Sequence, residues 1–266
     1  MHYGDMDLGL KDRVFVITGG SRGLGFAGAK AVVAEGAKVV IVARDEAVVA
    51  HAVGELGGAE NAVGLPGDIS DPTTAERVVA GAVARFGRLD GSLISTGGPT
   101  PGTPMRTTDE AWRESFELAF LGPLRIGRAI ANAATAPESD IAGSGASIVF
   151  VLSTSAREVM TGIATSNGLR PGLAMMVKDL ADEVAPRGIR VNGLLPGRLA
   201  TDRMFALDAR MGAPDMVRRR NEAMIPLGRY GNPEELGAVA AFLLSPTASY
   251  VTGSLIPVDG GALRGI

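Results

Sequence analysis

Seven short apolar runs punctuate the chain, at about residues 13–18, 38–43, 62–66, 90–95, 147–152, 189–194 and 253–258. Longer segments with helical spacing lie between them, near 23–35, 45–56, 71–86, 108–133, 171–186 and 233–244. Runs of Val, Ile, Leu and Phe without polar alternation suit strands covered on both faces. Their alternation with helical patterns predicts an α/β fold, a doubly wound parallel sheet of about seven strands with helices on both faces. Right-handed crossovers then gather the loops after the strands' carboxyl ends along one crevice and make the first strand central. With no internal repeat or low-complexity linker, residues 1–266 read as a single domain.

Two segments break this rhythm. Gly98-Pro-Thr-Pro-Gly-Thr-Pro104 is a stiff loop after the fourth run, and residues 201–225 hold Met204, Met211, Met216 and Met224. The second segment reads as a substrate lid, its thioethers either moulding to apolar ligands or filling gaps in the core. Arg218, Arg219 and Arg220 within it are either a phosphate contact for a carrier-bound thioester or a solvated helix face.

Composition narrows the chemistry. The 266 residues are 46% hydrophobic and 21% charged, ample for a core, and the net charge of −3 gives no reason to expect nucleic acid or an anionic membrane. No apolar run approaches the roughly 18 residues of a membrane span. The start, Met-His-Tyr-Gly-Asp-Met-Asp, lacks a secretion signal, so a cytoplasmic protein acting on a small molecule is expected. There is no cysteine, and His2 and His51 are the only histidines, so no metal site is expected.

The sharpest motif is Thr18-Gly19-Gly20-Ser21-Arg22-Gly23-Leu24-Gly25, where a strand pattern turns into an Ala/Val-rich helical one. Glycines let backbone approach a pyrophosphate, which sits at the positive helix N-terminus. The motif reads as a Rossmann-type dinucleotide site, and the chemistry it points to is hydride transfer. Arg22 in the loop and Arg44 after the second run can clamp a 2′-phosphate, favouring NADP(H) over NAD(H). Asp45 argues the other way, although its position fits a helix N-cap.

The chain as a whole resembles the short-chain dehydrogenase/reductase family. The glycine loop matches that family's Thr-Gly-x-x-x-Gly-x-Gly, and Gly67-Asp68-Ile69 matches its adenine-side turn. Ser95-Thr96-Gly97-Gly98 stands where Asn-Asn-Ala-Gly is usual, and Asn192, Pro196, Gly197 and Thr201 match the nicotinamide-side segment. The resemblance implies that Gly19, Ser21, Arg22, Gly23, Leu24, Gly25, Arg44, Asp68, Ile69, Thr96, Gly97, Arg170, Pro196, Gly197 and Thr201 contact the cofactor. It also implies a homodimer or homotetramer built on the helices near 108–133 and 171–186.

The family's catalytic set is Ser, Tyr thirteen residues later, Lys four further on, and an Asn on an earlier helix. Here Ser153 fits the serine, but Ser166 and Arg170 occupy the Tyr and Lys positions, and Ala119 the Asn position. None of the three tyrosines, Tyr3, Tyr230 and Tyr250, matches the missing phenol; Tyr230 alone stays open as a substitute acid. A serine hydroxyl is too weak an acid to ionise usefully and arginine stays protonated. Ser153, Ser166 and Arg170 can nevertheless stabilise an oxyanion while water supplies the proton. Pro171 favours a helix starting near 166–170, with a cap from Thr165, Ser166 or Asn167, so Ser166 is either a reactant or a cap. Arg170 either reaches the cofactor ribose or forms a salt bridge or surface contact. Two functions follow. One is an NADP(H)-dependent reductase of a carbonyl or enoyl group, including acyl thioesters. The alternative is a catalytically silent NADP(H)-binding sensor or partner protein.

Overall fold

In a computed structural model, which describes residues 7–134, 143 and 145–265, seven parallel strands form one sheet in the order β3-β2-β1-β4-β5-β6-β7. They are β1 (Val14–Thr18), β2 (Lys38–Ala43), β3 (Ala62–Pro66), β4 (Gly91–Ile94), β5 (Ser147–Val151), β6 (Arg190–Pro196) and β7 (Leu255–Val258). All seven lie where apolar runs predict them, to within two residues at either end. The first strand is interior but not central. Because β7 extends the far edge, β4 takes the middle position. β1 pairs with β2 on one side and β4 on the other, so the strand order reverses between β1 and β4. Ligand crevices of such sheets open at that reversal.

The helices are α1 (Gly23–Ala34), α2 (Glu46–Glu55), α3 (Thr74–Phe86), α4 (Asp109–Phe116), α5 (Gly122–Ala133), α6 (Ala164–Val184), α7 (Asp202–Met211), α8 (Pro214–Glu222) and α9 (Pro233–Leu244). Side chains alternate across a strand, so one sheet builds two cores. Val14, Val16, Val40, Val42, Ile148 and Phe150 face α3, α5 and α6, packing with Val78, Ile126 and Val177. Phe15, Ile17, Val39, Ile41, Leu93 and Val149 face the other way, packing with Val32, Val49 and Leu236 of α1, α2 and α9.

Helix boundaries differ from expectation at three places. The 108–133 segment is α4 and α5 joined by a wide π-type turn at Glu117–Leu121, with Ala119 fully buried in it. Residues 201–225 fold as α7 and α8. The third difference is α6, which begins at Ala164 and carries Pro171 well inside it, where the ring has no N–H to offer the Asn167 carbonyl. The expected start near 166–170 fails because the three candidate caps hold other partners. The Thr165 hydroxyl donates to the Thr100 carbonyl (2.9 Å), Ser166 pairs with Ser155, and the Asn167 amide bonds both backbone groups of Met160. Ile163 precedes the helix instead, pinned by a bridge to Gly102, and supplies no side-chain cap.

Arg190 of β6 is sealed in the protein at 1% exposure, with no carboxylate within ion-pair distance among the described residues. Its guanidinium donates to the carbonyls of Gly143, Leu243 and Ser245, each at 2.8 Å. Two of these lie at the carboxyl end of α9, where carbonyls lack helical partners and the dipole favours a cation. Arg190→Met strands these acceptors and is expected to cost about 3 kcal/mol, lowering the thermal midpoint by roughly 6–12 °C in a calorimetric scan.

Candidate active site

β1 ends where the Thr18 hydroxyl donates to the Ser95 carbonyl (2.7 Å), tying the ends of β1 and β4 together. The chain then turns through Gly19 at φ 56°, and Gly25 lies so close to the Gly19 carbonyl that no Cβ fits there. Arg22 precedes α1 in extended backbone, no side chain caps the helix, and its first turn holds no acid. The N–H groups of this turn are therefore left for an anion. Ser21 and Leu24 are half-buried beside it, with Arg22 and Gly23 exposed.

The other residues expected at the cofactor lie along the same rim. Arg44 follows β2 and is exposed, with no ion pair among the described residues. Asp45 caps α2, accepting from the Val48 N–H at 3.1 Å, as its position predicts, so its carboxylate is engaged locally. Asp68, after β3, accepts from the Ser70 N–H at 2.9 Å beside half-buried Ile69. Thr96 and Gly97 follow β4. Pro196 ends β6, the Gly197 N–H donates to Val258 (3.0 Å), and Thr201 caps α7 through the Met204 N–H (3.2 Å).

Beyond β5, Ser153 is half-buried and its hydroxyl accepts from the Ser155 N–H at 3.1 Å, capping a short 3₁₀ turn at Thr154–Ala156. Ser166 is buried inside α6, not capping it, and its hydroxyl lies 2.9 Å from that of Ser155. Ser155 is a residue that sequence reasoning passed over. Its signal was the Ser-Thr-Ser run, in which the 3₁₀ turn aims the second serine at α6.

One helical turn past Ser166, Arg170 is neither a surface residue nor part of a salt bridge. It is 4% exposed, donating to the Val151 carbonyl (3.2 Å) and the Thr96 hydroxyl (3.0 Å). Its Nε is buried without a partner. Burial, with a smaller effect from Arg203, pulls its pKa down to about 10, which still leaves it charged at neutral pH. An uncapped helix, a glycine turn and an orphaned buried donor on one rim fit a dinucleotide.

No tyrosine among the described residues replaces the missing phenol. Tyr3 lies outside them, and Tyr250 is fully exposed. Tyr230 is buried and occupied. Its hydroxyl donates to Asp208 (2.7 Å) and accepts from Asn221 (2.9 Å), clasping α7 and α8 to the 229–232 loop. Arg198 also donates to Asp208 (3.2 Å), and burial and the Asp208 bond push the phenol's pKa up. Arg218 pairs with Glu222 at 2.8 Å and lies over the Tyr230 ring, while Arg219 and Arg220 are exposed on α8. Met211, Met216 and Met224 are exposed as well and fill no core gap; only Met204 is half-buried.

This architecture is that of a dinucleotide-dependent oxidoreductase, and comparison with known proteins gives the family. A family model described as enoyl-(acyl carrier protein) reductase matches residues 19–262. The 3-oxoacyl-[acyl-carrier-protein] reductase FabG of Salmonella typhimurium is 32% identical over 254 residues, covering 96% of this chain and 98% of that one. L-sorbose reductase from Gluconobacter frateurii, solved with NADPH and L-sorbose, superposes with a TM-score of 0.89 at 29% identity, over 98% of this chain and 100% of that one. YwfH, an NADPH-dependent reductase involved in bacilysin biosynthesis, gives 0.87 at 25% identity, over 96% and 99%. The chain belongs to the short-chain dehydrogenase/reductase family and is an oxidoreductase of that family.

If Tyr230 is a clasp and no acid, Tyr230→Phe costs roughly 1–2 kcal/mol of stability by stripping one hydrogen bond from a buried carboxylate. The pH profile of the oxidoreductase rate is expected to keep its shape in that variant. A lost basic limb in a pH–rate series would show the opposite.

Proposed function

We propose that the protein is an NADP(H)-dependent reductase of a polarised double bond, carbonyl or enoyl, whose active site holds anions in place of relaying protons. The observation that carries this reading is Arg170, a buried guanidinium with one unpartnered donor, standing a helical turn from the Ser155–Ser166 hydroxyl pair. A reduced nicotinamide supplies hydride when bound. The uncapped start of α1 and the glycine turn would hold its pyrophosphate, with Asp68 and Ile69 at the adenine side. Thr96, Gly97, Pro196, Gly197 and Thr201 would border the nicotinamide. Exposed Arg22 and Arg44, with Asp45 already engaged, support a 2′-phosphate contact. The NADPH complex of the sorbose reductase and the NADPH-dependent YwfH agree with that preference.

Enoyl reduction suits these side chains best. Hydride adds to the β-carbon, the π electrons move to the carbonyl oxygen, and the enolate needs donors, not an acid of matched pKa. Ser153, Ser166 and Arg170 supply donors, each oxyanion contact being worth about 10²–10³-fold. Water then protonates the α-carbon, completing the addition of two hydrogens. Helices α7 and α8, with their exposed methionines, would serve as the substrate lid. Exposed Phe116 and Met175, on α4 and α6, support assembly into a dimer or tetramer through those helices. No described helix is long and apolar enough to cross a membrane.

The test follows NADPH oxidation with panels of enoyl and keto substrates. Turnover is expected, strongest with enoyl compounds. Saturable NADPH binding with no turnover anywhere would instead leave a silent binding protein. The rate should be flat from about pH 6 to about pH 9, because no group in the donor set titrates there. An inflection near neutrality would expose an unrecognised acid. The paired variant Arg22→Ala with Arg44→Ala is expected to weaken NADPH by about 10–100-fold and NADH by less than about threefold, read by fluorescence titration.

A further inference from the structure

Two residues past Thr96 the molecule opens a cleft of about 400 Å³, lined by Gly98, Pro99, Thr100 and Pro101 after β4, by Glu114, Ser115 and Leu118, and by Arg210 of α7. Its proline-rich wall is sewn to the start of α6 by the Thr165–Thr100 hydrogen bond and the Gly102–Ile163 bridge. The same wall continues back to Thr96, the Arg170 partner. The cleft and the Ser166–Arg170 turn are therefore one rigid unit.

Arg203, in the first turn of α7, crosses this wall. Its guanidinium lies flat against Gly98, leaving no room for a Cβ there, and donates to the Pro99 carbonyl at 3.3 Å. That single bond leaves most of its donors free. No carboxylate lies within ion-pair distance of Arg170, Arg203 or Arg210 among the described residues. Asp208, on the same helix as Arg203, is consumed by Tyr230, Asn221 and Arg198. Glu114 is the one carboxylate lining the cleft, and it is exposed. Arg170 bonded to Thr96 and Arg203 packed on Gly98 thus follow the loop after β4, Arg210 lines the cleft itself, and the one acid of that lining is solvated. Each cation depresses the next: Arg203 contributes to the lowered pKa of Arg170, and Arg210 to that of Arg203, in both cases after burial. Ser115 also belongs to the lining, and its hydroxyl is buried without a hydrogen-bond partner.

We propose that this cleft selects a small substrate by a free carboxylate near its reacting double bond, held by the Arg203 fork with Arg210 at the mouth. The inference rests on the reductase reading and narrows its substrate class. A guanidinium fork matches a carboxylate in two parallel hydrogen bonds. A carrier or coenzyme thioester presents its phosphates at the far end of a long arm. Arg203 instead packs on Gly98, two residues beyond the Thr96 that Arg170 touches, so the anion it holds lies close to the chemistry. The substrates that fit are 2-enoic and 2-oxo acids of modest size.

Calorimetric titration of the NADP⁺-saturated protein tests this without turnover. The probes are crotonate, cinnamate, 2-oxobutanoate and phenylpyruvate, the primary amide of each, and crotonyl-coenzyme A. At least one acid is expected to bind about tenfold or more tightly than its amide. Arg203→Gln should weaken that acid by about 10–100-fold while moving the amide less than about threefold, and Arg203→Lys should fall between. Glu114→Gln, which removes the competing charge, should tighten the acid by a few-fold and leave the amide alone. Acids binding no better than amides, equal losses for both in Arg203→Gln, weaker acid binding in Glu114→Gln, or a preference for crotonyl-coenzyme A would each overturn the proposal. Failure of the reductase reading would appear separately, as carboxylate binding without NADPH oxidation.

Discussion

A guanidinium sealed inside a protein without a counter-ion must be held by neutral dipoles, and that constraint organises this active site. Arg170 is buried, and the pull on its pKa shows the cost of desolvation. Val151 and Thr96 satisfy part of it, which fixes the ends of β5 and β4 relative to α6. The remaining donor faces no protein acceptor. Such an arrangement requires rigid surroundings and leaves one donor open to an acceptor from outside the protein. The short-chain dehydrogenase/reductase frame supplies the rigidity through a parallel sheet buried on both faces.

The same constraint accounts for what replaced the phenol. A lysine beside a tyrosine tunes a proton donor, whereas an arginine beside a serine cannot, since neither titrates near neutrality. What the pair can do is accept negative charge built up on an oxygen. Ser155 strengthens that role: its hydroxyl orients Ser166, and Ser153 in turn holds the Ser155 backbone. The three serines form one linked series, and Arg170, a helical turn past Ser166, is held separately by Val151 and Thr96.

Most of this was legible in the sequence, for identifiable reasons. Strands buried on both faces leave continuous apolar runs, and Thr18–Gly25 has a spacing that few other structures require, so the sheet and the glycine turn between β1 and α1 could be placed from residues alone. Asp45 was recognisable as a cap because a cap needs only local backbone. The start of α6 was not, because Thr165, Ser166 and Asn167 have the chemistry of caps but spend it on Thr100, Ser155 and Met160, contacts set by tertiary structure. Pro171 misled for the same reason: local preference placed it in a first turn, and packing overrode that preference. Tyr230 and Ser155 were illegible in opposite senses. A tyrosine in a chain short of acids looks available until its partners Asp208 and Asn221 are seen, and a serine looks incidental until α6 brings Ser166 against it.

Helix α7 joins the two halves of the site. Its N-cap, Thr201, lies on the candidate cofactor rim, its first turn carries Arg203 across the loop after β4, and its last turn places Arg210 at the cleft. Asp208 anchors the helix through Tyr230 and Asn221, so the helix is held from the side facing away from the cleft. A body fixed at that side and carrying two uncompensated cations on the other is most stable when an anion fills the cleft. An anionic occupant would relieve the repulsion between Arg203 and Arg210 and a neutral one would leave it, so the charge of the occupant bears on how firmly α7 holds the loop after β4.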